Sequence, residues 1–449
     1  MKKLFLVSLG CSKNYVDSEE IAAAFVKEGY VLHDSPEQSS VAVVNTCAFL
    51  REARLEALEA VQRIVRYKNK PGSKLKSVVL TGCLAGYYKA PELKKMIPGL
   101  DLVIPYQYAV LIPRVLENNR TLPPDITKKG YPQNHRFIFG APHSVYIKIS
   151  EGCDNRCAYC LIPSLRGKLR SKPLDDIISE AKALRQLGAK EINVIAQDTT
   201  AYGKDIYGKY MLIPLLEKIS RIEGLKWIRL LYAQPSRITN DLLDLVAGEE
   251  KICKYLDIPI QHIDGKILRK MGRTTTPGQI TSLYHNIRER LPSAVLRTTV
   301  MVGYPGEGEE EFRNLLDFLE DHPFERVGAF QFSPEKRTAA YFQGPVVEKT
   351  IAQRRLQELM TRQKHRSRLF NHELLGRELD ILVDSCNPVK KIHYGRTSAQ
   401  APDVDGKVYL PGYSGQPGDF IKAKITGAGA YDIIAINNAE CRMQNYKSN

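Results

Sequence analysis

Cys153, Cys157 and Cys160 stand in the run Ser150-Glu151-Gly152-Cys153-Asp154-Asn155-Arg156-Cys157-Ala158-Tyr159-Cys160, directly after the apolar stretch 145–149. A CxxxCxxC triplet where a strand gives way to a loop restricts the chain to folds that present strand ends to a metal. A structural zinc site closes with four ligands, commonly as paired CxxC knuckles. A cubane iron–sulfur cluster held by three cysteines instead keeps one iron open for a further ligand. Buried structural thiols are the alternative, and the flanking Gly152 and Tyr159 weigh against it.

A chain of 449 residues, 43% of them hydrophobic, is long enough for roughly two to four domains with large cores. Nine cysteines without an extracellular signature fit metal or redox chemistry in a reducing cytosol better than disulfides. Lys2-Lys3, an apolar stretch and Cys11 imitate a short signal or lipoprotein segment. That stretch is short, Ser8 stands where a lipobox places Leu, and Ser12-Lys13-Asn14 runs on into a loop, so a strand ending at a cysteine accounts for it. No run approaches the roughly eighteen apolar residues of a membrane span, and a cytoplasmic protein is expected. The balance of 65 Lys plus Arg against 50 Asp plus Glu, a net +15, favours a polyanionic neighbourhood such as RNA or the ribosome. The basic stretches 166–172 and 354–368 are interrupted by apolar residues, leaving RNA contact and solvated surface equally open.

Up to about residue 120 the pattern is strand–helix alternation. The runs 3–9, 41–46 and 77–81 each feed a cysteine, namely Cys11, Cys47 and Cys83, with Asp17-Ser18 capping one helix and 52–67 forming another. Consecutive βα units build a parallel sheet whose carboxyl-end loops share one edge, so these evenly spaced cysteines are expected together as a second three-thiolate site. Small neighbours such as Gly10 and Gly82 let backbone approach a bulky cluster.

A Pro-rich polar stretch, 122–142, reads as a linker. Six further strands follow at 145–149, 191–196, 227–232, 255–260, 296–302 and 327–332, with helical patterns between most of them. Six βα units suggest an open, partial barrel with its chemistry at the carboxyl ends of the strands. Residues 348–370 read as a long basic helix. Beyond 375 the short strands 379–383, 406–410 and 421–425 among Gly, Pro and Asp fit a small OB-like β-barrel. From 377 onward nine Lys plus Arg face eight Asp plus Glu, less basic than a phosphate-tracking barrel should be. Cys253, Cys386 and Cys441 lack partner spacing and are left as structural thiols.

With three cysteines in front, CxxxCxxC in the middle and a small barrel behind, the whole chain resembles the radical S-adenosylmethionine (AdoMet) methylthiotransferases, whose last barrel is called the TRAM domain. The resemblance implies an α/β architecture: a parallel-sheet methylthiotransferase domain at 1–121, a linker at 122–142, a partial (β/α)6 radical AdoMet barrel at 143–370 and TRAM at 371–445. One bacterial branch modifies isopentenyl-adenosine in tRNA, the other an aspartate of ribosomal protein S-twelve. Leu9-Gly10-Cys11-Ser12-Lys13-Asn14, Ala196-Gln197-Asp198-Thr199-Thr200, Leu256-Asp257-Ile258-Pro259-Ile260-Gln261-His262 and Ala401-Pro402-Asp403-Val404-Asp405-Gly406 are similar to the second branch. The departures are Ser12 in place of Pro, Gln400 in place of an acidic residue and Gly308 in place of Thr.

On this resemblance Cys153, Cys157 and Cys160 hold a four-iron four-sulfur cluster whose open iron binds AdoMet and yields a 5'-deoxyadenosyl radical, which takes a hydrogen from the aspartate β-carbon. Cys11, Cys47 and Cys83 hold an auxiliary four-iron four-sulfur cluster that delivers sulfur drawn from sulfide or polysulfide. A second AdoMet supplies the methyl group. Tyr159, Gln197, Gln261 and Gly303, beside cluster loops or at strand ends, are the implied AdoMet contacts. Asp403 and Asp405 are the expected docking residues for a basic protein substrate. The implied partners are ribosomal protein S-twelve or the small ribosomal subunit and an electron donor such as flavodoxin or ferredoxin; no membrane contact and a monomer are expected. The alternatives are tRNA methylthiolation and an iron–sulfur protein without catalysis.

Overall fold

Apolar runs without alternation belong to strands covered on both faces, and every residue of Val41–Thr46 and Ser77–Gly82 is buried. These two form the middle of a five-stranded parallel sheet in the order Tyr30–Leu32, Lys2–Ser8, Val41–Thr46, Ser77–Gly82, Leu102–Val103. Because the sheet is parallel, Cys11, Cys47 and Cys83 leave it at one edge. The computed structural model of the chain describes residues 1–118, 136–390 and 392–437. Most of the expected linker, 122–142, and Cys441 lie outside those residues.

The first helix corrects an expectation. It runs from Ser12 to Lys27, with Cys11 at its N-cap and no side-chain cap. Asp17 and Ser18 therefore lie inside it, and both are buried. Their polar atoms face other elements: Ser18 donates to Ser8 Oγ (2.8 Å) and accepts from Asn45 Nδ2 (2.9 Å), while Asp17 accepts from Lys148 and Arg166.

The second sheet has six parallel strands in sequential order, from Ser144–Lys148 through Glu191–Ile195, Trp227–Leu230, Ile252–Asp257 and Val295–Val302 to Arg326–Gln331. The first and last strands do not pair, so the barrel is open, as expected. Alternation along each strand divides the core in two. Ile192, Val194, Ile228, Leu230 and Leu256 pack outward against the helices, whereas Trp227, Tyr255 and Val295 meet Leu382 and Ala401 of the last domain.

That domain is a closed five-stranded barrel of Glu378–Asn387, Ile392–Thr397, Val408–Leu410, Ile433–Asn437 and Phe420–Ala428. It is joined to the larger barrel by Arg396 to Glu191 (2.7 Å), Arg229 to Ser398 O (2.7 Å) and the Trp227–Phe420 edge contact at 4.8 Å.

The basic stretches also resolve. Arg166 and Lys172 are buried in ion pairs, with 2% and 4% exposure, so these two belong to an interior junction, whereas Lys168 and Arg170 are exposed. In the helix Lys349–His372, Arg355 is buried against Glu307, while Arg354 and Arg362 pair with acidic residues at the surface. No helix among the described residues is long and apolar enough to cross a membrane.

Candidate functional site

Asn14, one turn into the first helix, gathers the ends of three strands. Its amide nitrogen donates to Leu9 O (2.9 Å) and Thr46 O (2.8 Å), and its oxygen lies 4.0 Å from Cys83 Sγ. Gly10 brings the first and second cysteine loops together: its φ is +96°, and a Cβ there would fall 2.6 Å from the Cβ of Cys47. Gly82, at φ +89°, passes under Thr46, where a Cβ would meet the Thr46 oxygen at 2.4 Å. The expected convergence of Cys11, Cys47 and Cys83 is thus built by small residues and one buried amide.

The second triplet lies on the loop after Ser144–Lys148. Gly152 turns it at φ +72°, and a Cβ there would meet Lys168 O at 2.2 Å. Each sulfur faces a donor. Asn155 N lies 3.4 Å from Cys153 Sγ, Ile162 N 3.4 Å from Cys160 Sγ, and a guanidinium nitrogen of Arg273 3.8 Å from Cys157 Sγ.

Arg166 links the two triplets, and sequence reasoning missed it. Its Nε donates to Cys83 Sγ at 3.2 Å; its other nitrogens reach Asp17 (2.7 Å), Glu151 (3.2 Å) and Asn14. Glu151 stands two residues before Cys153, so one buried guanidinium touches a ligand of one set and the loop root of the other. Burial alone would raise the Glu151 carboxyl, but Arg166 and Lys148 outweigh it and hold it at about 2. A basic residue flanked by Leu165 and Gly167 carries no sequence mark of this role.

Burial pushes the thiols of Cys83 and Cys153 up to about 11 and that of Cys160 up to about 12, with Arg166 pulling the other way at Cys83. Bare thiolates are therefore disfavoured, yet N–H donors point at the sulfurs. This combination suits sulfur that carries charge on a bound metal. Among the described residues no three Cys, His, Asp or Glu side chains form a site for a single ion. A cubane asks for something else, because each thiolate binds its own iron of a larger body.

Gln197 donates to Glu151 Oε1 at 2.8 Å, and its own amide oxygen is buried without a hydrogen-bond partner. Gln261 has a left-handed backbone (φ 71°) and bridges to the strand Val295–Val302. Tyr159 packs edge-on to Tyr304 at 6.4 Å. Gly303 is placed differently from the expectation: a Cβ would fall 2.7 Å from Ala352, and its N–H is taken by Glu307, so helix packing accounts for this glycine.

Asp405 departs further. Its side chain is 1% exposed and accepts from Tyr255 (2.7 Å), Arg297 (2.8 Å) and Ala401 N (2.8 Å), which makes it a clamp between domains, not a docking residue. Asp403 is exposed, at φ 67°, and accepts from the Tyr146 hydroxyl at 2.7 Å.

A cavity of about 980 Å³ opens beside Cys11, walled by Tyr15 of the first domain, Tyr232, Asp257 and Pro259 of the barrel, and Arg396 and Asp403 of the last domain. Arg273 connects that wall to the second triplet, donating to Pro259 O at 2.6 Å as well as to Cys157. On the far side of the barrel Arg54 pairs with Glu335 (2.8 Å) and Arg337 donates to Gly86 O (3.1 Å). The first domain therefore covers the carboxyl ends of the strands from both flanks.

The Radical SAM superfamily matches residues 147–319, the uncharacterized protein family UPF0004 residues 3–105, and the TRAM domain residues 375–436. The ribosomal protein uS12 methylthiotransferase RimO of Thermoanaerobacter sp. (strain X514) is 39% identical, over 97% of this chain and 99% of the relative. Those of Geobacter sulfurreducens and Dictyoglomus thermophilum are 38% and 41% identical over 96% and 97% of this chain, and 98% and 99% of their own. Among solved structures, the radical S-adenosylmethionine methyltransferase TsrM from Kitasatospora setae superposes with a TM-score of 0.55 at 17% identity, covering 74% of this chain and 75% of its own, a likeness of fold alone. With relatives of this identity along nearly the whole length, and with its three regions in the same order as the three domain matches, the chain belongs to the RimO family of methylthiotransferases.

Proposed function

We propose that this chain methylthiolates the β-carbon of an aspartate in ribosomal protein S-twelve, with two iron–sulfur clusters and AdoMet. The observation that carries the reading is that two three-cysteine sets, not one, converge where the first domain covers the barrel, bridged by Arg166. Cys153, Cys157 and Cys160 would hold the AdoMet cluster and Cys11, Cys47 and Cys83 the auxiliary one, each leaving an iron open. When bound, these groups would supply hydrogen abstraction from a carbon that no side-chain base deprotonates, sulfur for that carbon and a methyl group for that sulfur.

The chain's own residues do the rest. Gly10, Gly82 and Gly152 admit close backbone approach. The amides of Asn155 and Ile162 and the Arg273 guanidinium stabilise charge on the sulfurs. Gln197, with its uncommitted amide oxygen, Gln261 and Tyr159 belong to the AdoMet side of the site. The first domain shields the strand ends from water, and the cavity beside Cys11 gives a side chain access. A flavodoxin- or ferredoxin-like reductant and a sulfide or polysulfide donor complete the scheme.

The test is anaerobic reconstitution with iron and sulfide, then AdoMet and a reductant, offered ribosomal protein S-twelve and unmodified tRNA in parallel and read by mass spectrometry. A methylthio group on the aspartate alone is expected. Addition to tRNA alone overturns the substrate, and absence of 5'-deoxyadenosine from both tubes despite intact clusters overturns catalysis.

A further inference from the structure

Lys13 is the second residue of the helix Ser12–Lys27 and is only 9% exposed. It stands at the amino end of a helix whose first turn holds no acidic residue. Its ammonium lies 3.1 Å from the centroid of the Tyr232 ring and attracts the nearby Asp257 carboxylate electrostatically, without a hydrogen bond or a close ion pair to any described residue. Arg297 and Arg396, which line the neighbouring cavity, are already committed to Asp405 and to Glu191 and Asp384.

Tyr232 is unusual in its own right. It follows the strand Trp227–Leu230 with a left-handed backbone, φ 61°, a conformation that a bulky side chain adopts only under constraint. Its hydroxyl meets Ser12 Oγ at 3.4 Å and its N–H donates to Asp257 Oδ2 at 3.1 Å. The other Asp257 oxygen is buried and has no hydrogen-bond partner, the nearest described cation being Arg297 Nε at 3.8 Å. Tyr232, Asp257 and Cys11 line one cavity. The Lys13 ammonium and the Asp257 carboxylate, one of whose oxygens accepts no hydrogen bond, thus flank one strained aromatic residue, beside a ligand of the second cysteine set.

We propose that Lys13 is a specificity-determining residue that takes the side-chain carboxylate of the substrate and so holds the adjacent β-carbon beside Cys11, with the Tyr232 ring positioning the ammonium. The inference rests on the protein substrate proposed above. A carboxylate arriving there gives the Lys13 ammonium a hydrogen-bonded anion that it otherwise lacks. An amide of the same shape does not, and a site built for the anion rejects it steeply.

The experiment uses the full chain with both clusters reconstituted, AdoMet present and no reductant, and measures equilibrium binding of ribosomal protein S-twelve and of its version with asparagine at the target position. The unaltered chain is expected to prefer the aspartate form by about tenfold or more. Lys13→Met should bring the ratio close to one at unchanged iron content, and Lys13→Arg should keep a preference. A merely structural lysine would weaken both forms alike and leave the ratio where it was. Lys13→Met that retains the preference overturns the inference and leaves the proposed function standing. Equal binding of the two forms by the unaltered chain, which nonetheless modifies the aspartate, does the same. Modification of tRNA and not of the protein overturns both. Should Lys13→Met fail to hold its iron, Lys13→Gln is read in the same way, and loss of iron in both variants overturns the inference in favour of a structural role.

Discussion

Arg166 and Asp405 show how a side chain's role can depend on partners that no local pattern announces. Asp405 sits in an acidic, proline-containing loop that reads as surface, yet its acceptors serve Tyr255, 150 positions away, and Arg297, 108 positions away. Asn14 lies in a motif visible in the sequence, but only the structure reveals that its amide ties two strand ends together. The six cysteines were legible because their chemistry and their place at strand ends coincide. The residues that hold them were not, because Arg166 and Arg273 are ordinary basic residues until folding surrounds them. Removing the charge in Arg166→Gln leaves Lys148 as the one remaining cation shared by the buried Asp17 and Glu151, at a cost of at most about 3–5 kcal/mol. Hydrogen exchange should then show the helix Ser12–Lys27 opening more readily in the cluster-free chain. Arg166→Lys keeps the charge but not the fork that spans Cys83, Asp17 and Glu151, and an intermediate loss is expected. Asp405→Ala should cost a similar amount at the other junction, read as faster exchange at Tyr255 and Ala401.

Among the elements, the βα units were legible because long apolar runs and amphipathic helices leave few alternatives; Val41–Thr46 has the expected bounds and Lys349–His372 nearly so. The start of the first helix was not, because Asp17-Ser18 imitates a cap while Cys11, the real N-cap, carries no capping group. Ile392–Thr397 and Ile433–Asn437 were also missed, since strands in a small barrel are set by their neighbours more than by their own composition. The loops that carry the cysteines depend on glycines in left-handed backbone, and this gives a reciprocal prediction. Gly10→Ala places a methyl group 2.6 Å from the Cys47 Cβ, and Gly152→Ala places one 2.2 Å from Lys168 O. Each should lose one cluster and spare the other, so iron per reconstituted chain should fall by about half in either variant. AdoMet cleavage should persist in Gly10→Ala and vanish in Gly152→Ala. Loss of both clusters together in either variant would contradict two separately built sites.

The whole molecule is three domains held at two junctions by buried ion pairs, and this makes its cohesion dependent on pH. Asp17 ties the first domain to Arg166 and Lys148 of the barrel, two cations that the barrel's own Glu151 also neutralises; Glu191 of the barrel, fully buried, anchors the last domain through Arg396. Burial pushes the Glu151 and Glu191 carboxyls up, but the guanidinium and ammonium partners prevail and hold each at about 2, below the ordinary 4.5. A carboxyl lowered by folding contributes stability that is complete above its unfolded value and is lost as the pH falls through its folded value. The Arg396–Glu191 junction should therefore keep its full strength above about pH 4.5 and loosen progressively toward pH 2, by on the order of 3 kcal/mol, whereas Glu151 contributes in the same range to the barrel itself. Glu19, raised by burial with Arg136 only partly opposing, acts in the opposite sense. The difference between chains is thus more telling than any single curve. Glu191→Gln should loosen the last domain already at neutral pH, because Arg396 and Arg229 lose their shared anion. It should also remove the acid-dependent part at that junction. Limited proteolysis of the cluster-free chain between pH 7 and pH 2 would show this: the unaltered chain should release its last domain only in acid, and Glu191→Gln should release it with little dependence on pH. A Glu191→Gln chain that holds its last domain at neutral pH and sheds it only in acid would show that the Trp227–Phe420 contact and the Asp405 clamp, not the Glu191 pairs, carry that junction.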